Sequence, residues 1–250
     1  MVGKLLVRGM LAGIAAGLLT FAFARIAGEP QVDQAISFEE KADAAKGEAP
    51  EPEIVSRKTQ AGYGLFTGVM VYGASIGGLF ALVFAYAHGR AGRLSPRALS
   101  AWLALAAFVA IYLVPNIKYP ANPPSVGDPE TIGYRTGLFF LMIAISIAVS
   151  VFSLKVRAAF APRLGVWNAS IAALVLFVVV IGAIQFALPT INEVPAAFPA
   201  VLLWKFRTVS IGMQAILWTT IGLLFGALAE KLLGANARTG SAQGTPTRAA

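Results

Sequence analysis

Residues 166–188 read Val-Trp-Asn-Ala-Ser-Ile-Ala-Ala-Leu-Val-Leu-Phe-Val-Val-Val-Ile-Gly-Ala-Ile-Gln-Phe-Ala-Leu, without one charged side chain. A helix needs about 20 mostly apolar residues to cross the hydrocarbon core of a bilayer, with a range of roughly 17–25. Working outward, five more stretches qualify, at about 5–27, 62–87, 98–115, 136–154 and 209–230. Their centres carry no charge, and there a single Arg, Lys or Asp costs roughly 2.5–3.5 kcal/mol. The reading is an all-α integral membrane protein: a six-helix transmembrane bundle filling residues 1–233. The stretch from Ala98 to Pro115 is the shortest of the six.

The whole chain agrees. It is 57% hydrophobic and only 13% charged, with a mean hydropathy of +0.72, where a soluble domain carries roughly 25% charged residues. Apolar surface on that scale must face something other than water. A net charge of +8 would suggest nucleic acid in a soluble protein. Here the cations are divided among short segments between apolar runs, which speaks against nucleic acid. With no cysteine there is no disulfide, thiolate metal site or thiol nucleophile.

The charges also orient the chain. With the N-terminus inside, the cytoplasmic segments hold eleven basic residues, Lys4, Arg8, Arg90, Arg93, Arg97, Lys155, Arg157, Arg163, Lys231, Arg238 and Arg248, against one acid, Glu230. The outer segments hold the other nine basic residues and eleven acids. Excess Lys and Arg in short loops marks the cytoplasmic side, so the topology is N-in and C-in. One rival concerns the start: Lys4, Arg8, the apolar run and Ala22-Phe23-Ala24 also fit a cleaved signal peptide. The length of the run and its glycine spacing favour a retained helix.

Eight of the twelve acids fall in residues 28–61, an acidic extracytoplasmic loop. Asp33 is a candidate N-cap for a short surface helix over 34–46, with Pro50 and Pro52 to end it. Residues 234–250, rich in Gly, Ala, Thr and Ser, are expected to form a disordered cytoplasmic tail. A weak repeat joins the outer segments. Pro115-Asn-Ile117 and Pro120-Ala-Asn-Pro-Pro124 resemble Pro189-Thr-Ile191 and Pro195-Ala-Ala-Phe-Pro199. Tyr134-Arg135-Thr136 matches Phe206-Arg207-Thr208, and Arg57-Lys58-Thr59 opens the second helix similarly. The bundle then reads as three repeated helical hairpins, as in many transporters; the bland alternative is that Pro and aromatic residues recur at any membrane interface.

Glycines recur four residues apart: Gly9, Gly13 and Gly17; Gly64 and Gly68; Gly73 and Gly77; Gly222 and Gly226. That spacing puts them on one helix face, where backbones can approach closely. Tight packing is the structural reading; a narrow path lined by bare carbonyls is the functional one. The lone histidine, His88, sits among cations at the inner end of the second helix, where an interfacial role competes with that of a mouth ligand. No HExxH, CxxC or phosphate-loop pattern occurs, and His88 has no evident triad partners. An enzyme is not expected.

Chemistry concentrates in the outer loops. Tyr119-Pro-Ala-Asn122-Pro-Pro124 and Gly127-Asp128-Pro-Glu130-Thr-Ile132 set an amide and two carboxylates among prolines, which fix φ and stiffen a loop. Asn192 and Glu193 occupy the matching place after the fifth helix. Oxygen ligands suit hard and borderline divalent ions. The candidate metal ligands are Asn122, Asp128, Glu130, Asn192 and Glu193, with Glu29, Glu39 and Glu40 of the acidic loop. The competing reading is a rigid interface loop whose acids are merely solvated.

The loops resemble those of the CbtA family, proposed membrane subunits of cobalt transport. The matching stretches are Gly28-Glu29-Pro30, Phe38-Glu39-Glu40, Gly62-Tyr63-Gly64-Leu65-Phe66, Tyr119 to Pro124 with Gly127 to Thr131, and Leu203-Trp204-Lys205-Phe206-Arg207. They span about residues 5 to 230. The resemblance implies Co²⁺ as transported ion rather than bound cofactor. It also implies a multi-pass protein of the bacterial inner membrane. A small single-span CbtB-like partner with a histidine-rich end would supply the imidazoles missing here. Oligomers are compatible with this reading. Nickel is the chemical rival to cobalt, and a membrane scaffold or assembly subunit without its own translocation path is the functional rival.

Overall fold

The computed structural model describes residues 1–47, 54–92 and 94–242. All regular structure among them is helical. Five helices are long and apolar enough to cross a membrane: α1 (Val2–Lys46), α2 (Arg57–Ala87), α3 (Pro96–Lys118), α4 (Ile132–Ala187) and α5 (Ala200–Gly234). The apolar stretches at 136–154 and 166–188 both fall within α4. Inside it Gly165 has non-helical dihedrals (φ 76°, ψ 158°), so α4 is two helices joined at a kink.

The distribution of side chains is that of a protein solvated by lipid. Along the first turns of α1 the buried positions are mainly small: Gly9, Ala12, Gly13, Ala16, Gly17 and Thr20, with Leu5. Leu11, Leu18 and Leu19 are exposed on the same helix, as are Val71, Leu79 and Val83 on α2 and Val175, Val178 and Val179 on α4. In water such a surface would be an aggregation site. Between helices in lipid, small residues are what allow backbones to meet.

Helix α1 departs from expectation. It does not end near residue 27 but continues through a π-turn, Ala24–Gly28, to Lys46. Pro30 lacks an amide hydrogen, and its ring would clash with the carbonyl four residues back in a regular helix. The wider π-turn just before it accommodates both defects. Asp33 therefore lies inside a helix and is not an N-cap. Gly47, left-handed at φ 79°, ends the helix by a C-cap that glycine adopts without a Cβ penalty. Pro50 and Pro52, expected to end it, lie outside the described residues. At the other end of the chain the helical backbone continues beyond 234 to Ala242; the remainder of the expected tail, 243–250, lies outside the described residues.

The chain forms two compact units. The first comprises residues 1–26, 53–106 and 212–250. Its core is a backbone-to-backbone contact between α1 and α2. A Cβ added at Gly9 or Gly13 would collide with the carbonyl oxygen of Gly77 or Gly73, and the reverse holds at Gly73 and Gly77. Gly64 and Gly68, of the same spacing, face no such neighbour: Gly68 has nothing within 4 Å. The carbonyls of Gly9, Gly13, Gly73 and Gly77 are closed against each other, so these glycines pack helices and do not line a path. Gly222 and Gly226 serve α5 in the same way against α3, seated on Ala104 and Ser100. The buried Ser100 hydroxyl donates to the Gly222 carbonyl (2.6 Å). Phe225 wedges against Phe80 and Phe84, with centroids at 5.5 and 5.0 Å. Arg97 and Glu230 form an ion pair (2.6 Å). His88 stacks on Phe84 just past the end of α2.

The second unit comprises residues 27–52 and 107–211. Arg157 Nε donates to Ser170 Oγ at 2.8 Å, although thirteen residues of straight helix would separate them by about 20 Å. Met142 and Ile181 likewise share one core cluster with Val114, Tyr119 and Leu138. The two halves of α4 therefore fold back on each other at Gly165. A second cluster joins the continued α1 to the loops, with Ala35 against Val126, Phe198 and Leu202. There the rings of Phe38 and Phe198 meet edge to face at 5.0 Å.

Candidate functional site

Within the second unit the ends of α3, α4 and α5 and their loops enclose a cavity of about 290 Å³. Prolines and a small set of hydrogen bonds shape it. Tyr119, at the end of α3, donates its hydroxyl to the Pro189 carbonyl (3.0 Å), and Lys118 Nζ donates to Thr190 Oγ1 (3.2 Å). Gln185 Nε2 donates to the Val114 carbonyl (2.8 Å). The loop after α3 is thereby tied to the loop after α4. Asn116 Oδ1 accepts the Ala121 N–H (3.2 Å), which bends the chain at the first proline.

The next turn is held by carboxylates. Asp128 Oδ1 accepts the Glu130 N–H at 2.9 Å, capping the 3-10 turn Pro129–Thr131 that leads into α4. Glu193 takes the Asp128 N–H on Oε2 (2.7 Å) and the Thr131 hydroxyl on Oε1 (2.8 Å). Arg135 Nε completes the set as an ion pair at 3.2 Å, and its Nη2 donates to the Asp128 carbonyl (3.0 Å). The Asp128 N–H first, then the Thr131 hydroxyl, with the Arg135 charge added, hold the Glu193 carboxyl below its ordinary range against the opposing effect of desolvation. Gly127 is obligatory: its φ of 122° disfavours a side chain, and a Cβ would strike the Arg135 guanidinium.

Of the residues singled out from sequence, Asn122, Asn192 and Glu193 line the cavity. Asp128 and Glu130 lie exposed on the adjoining turn, Asp128 with one oxygen committed to its cap. Glu29, Glu39 and Glu40 lie on the continuation of α1, Glu29 buried and the other two exposed. Among the described residues no group of three or more His, Cys, Asp or Glu is placed to hold a metal ion. Sequence reading overlooked Arg135 and Arg207, both in the cavity wall. Their signal was present in the repeat, where Tyr134-Arg135-Thr136 matches Phe206-Arg207-Thr208.

The two arginines of these matching stretches make comparable contacts. Arg135, near the start of α4, pairs with Glu193 in the loop after α4. Arg207, on α5, donates to Asn122 Oδ1 (2.8 Å) and the Ala121 carbonyl (3.3 Å) in the loop after α3. Each arginine clasps a loop, one through a carboxylate and one through neutral groups.

No curated protein and no solved structure matches the chain. The helices identify a multi-pass membrane protein. The family model of CbtA, described as a probable cobalt transporter subunit, matches residues 2–230, and the chain belongs to that family.

Proposed function

We propose that this chain is the membrane subunit of a cobalt uptake system in the bacterial inner membrane, and that it moves Co²⁺ inward down the membrane potential with a small His-rich CbtB-like partner. The observation that carries the reading is the loop-built cavity at the ends of long lipid-facing helices in a chain of the CbtA family. In this reading the chain crosses six times, N-in and C-in, with α4 contributing two spans joined at Gly165. The cationic inner loops and the acidic residues 28–61 support that orientation. The exposed Asp128 and Glu130 meet arriving cargo on the turn that Asp128 also caps, and Asn122, Asn192 and Glu193 line the cavity beside it. Glu29, Glu39 and Glu40 raise the local concentration of cations.

The energetics need no nucleotide. One elementary charge crossing 100 mV gains roughly 2.3 kcal/mol, so a dication gains about 4.6 kcal/mol. At about 1.4 kcal/mol per decade, that sustains roughly a thousandfold accumulation. Reconstitution tests the reading. Liposomes containing the chain and its partner should accumulate radioactive cobalt when an inside-negative potential is imposed. Equal accumulation by protein-free liposomes would instead leave the scaffold reading standing. The turn is tested separately in cells. Asp128→Ala removes a cap worth about 1 kcal/mol, and together with Glu130→Ala it should lower cobalt uptake several-fold at unchanged protein level. Uptake equal to wild type would remove these two residues from the site.

A further inference from the structure

Arg135 and Arg207 hold matching places in the repeat, yet only Arg135 meets a carboxylate. Arg207 is half-buried and donates to two neutral oxygens; among the described residues no carboxylate pairs with it. Among the described residues the cavity wall has one carboxylate, Glu193, already engaged by the Asp128 N–H, the Thr131 hydroxyl and Arg135. The wall therefore carries two guanidiniums against one carboxylate, and that carboxylate belongs to the other arginine.

The amides add donors of the same kind. Asn116 Oδ1 accepts from a backbone N–H, and Asn122 Oδ1 accepts from a guanidinium. Both partners can only donate, which fixes the oxygen of each amide on its partner and leaves the NH₂ end for another acceptor. Neither NH₂ has a protein partner among the described residues. A bare dication entering this space meets positive charge and N–H groups. An anion meets a guanidinium fork of the geometry that suits carboxylate and phosphate oxygens.

We propose that this cavity binds a small oxyanion, of the carboxylate or phosphate class, on the Arg207 guanidinium with the Asn116 and Asn122 amides. The ligand supplies to Arg207 what Glu193 supplies to Arg135. This binding goes beyond the transport reading and does not require cobalt, so either can fail alone. It also gives metal cargo a route to oxygen ligands that the protein's own described residues do not assemble, since an oxyanion with a second acidic group can hold the ion.

The test is calorimetric titration of the detergent-solubilised full chain with citrate and with inorganic phosphate, at constant ionic strength with chloride as control. Saturable one-site binding of citrate or phosphate is expected. Loss of a hydrogen-bonded charge should weaken it about tenfold or more in Arg207→Gln, while Lys155→Gln, outside the cavity wall, should leave it unchanged. Asn122→Asp places a carboxylate beside Arg207 and should abolish binding without lowering the unfolding midpoint, which keeps the test decisive if Arg207→Gln does not fold. Repeating the titration in phosphatidylglycerol and phosphatidylcholine nanodiscs separates the sources: loss of citrate binding only in phosphatidylglycerol identifies a lipid headgroup as the occupant. No saturable binding of either anion in detergent and in both lipids, or wild-type affinity in Asn122→Asp, would overturn the proposal.

Discussion

Gly13→Leu is expected to destabilise the first unit by about 3 kcal/mol, while Gly68→Leu leaves it nearly unchanged, although both glycines belong to the same four-residue pattern. At Gly13 a Cβ would lie inside the van der Waals envelope of the Gly73 carbonyl and only 3.1 Å from the Gly77 Cα. Backbone cannot rotate aside as a side chain can, so α1 and α2 would have to separate. Separation also breaks the reciprocal contacts at Gly9 and Gly77, because one face carries all of them. Overpacking in a tight core typically costs 1–3 kcal/mol and occasionally more; a leucine driven into a backbone contact belongs at or beyond the upper end, about 3 kcal/mol. In lipid no hydrophobic force between helices makes up the loss, since close packing is itself the driving force. Gly68 has nothing within 4 Å, and a leucine there adds one more apolar side chain to an already apolar helix. Size-exclusion profiles and thermal unfolding in mild detergent, run on both variants, provide the check. Equal behaviour of the two would mean that the α1–α2 contact does not organise the first unit.

The two sets of glycines on α2 also show where sequence reading stops. The spacing that predicts a packed face is local and was legible. Which of two such faces on one helix finds a partner depends on the rotation of that helix against α1, and no pattern within α2 encodes it. The apolar stretches were legible because lipid forces every backbone amide to be satisfied within its own helix. The extension of α1 to Lys46 was not. Gly28-Glu29-Pro30 reads as a stop signal in regular α-helix, and only the π-turn before Pro30 lets the helix continue. The cavity was half legible for a related reason. Carboxylates and amides among prolines attract attention as ligands, whereas an arginine at the mouth of an apolar helix reads as an interfacial anchor. The structure shows Glu193 and Asp128 with much of their hydrogen-bonding capacity given to holding loops, and Arg207 with the less satisfied charge. A motif reveals which groups are present; which partners already occupy their lone pairs is decided only by the fold.

Glu193→Gln should therefore act through the loops, and its effect should disappear in acid. The wild-type carboxylate accepts from the Asp128 N–H and the Thr131 hydroxyl and forms an ion pair with Arg135. A glutamine keeps one acceptor and turns an NH₂ group toward partners that can only donate, apart from the Thr131 hydroxyl. It also leaves the Arg135 charge without a counter-ion. The start of α4 and the loop after it should come apart at neutral pH, seen as faster amide exchange at Asp128 after correction for its intrinsic rate and as a lower unfolding midpoint. Because the folded-state pKa of Glu193 lies below its ordinary value of 4.5, its contribution to stability is fully present above that value. It is lost as the pH falls through the depressed folded pKa, where the native state must take up the proton. The gap in unfolding midpoint between wild type and Glu193→Gln should thus be constant from neutrality down to about pH 5 and close below the ordinary glutamate range. Arg135→Gln should show the same acid convergence with a smaller gap, since the Asp128 N–H rather than the Arg135 charge is the leading cause of the depressed pKa. A gap that persists unchanged to pH 3 would assign the effect to lost packing, and Glu193 would no longer be the charged clasp that shapes the cavity.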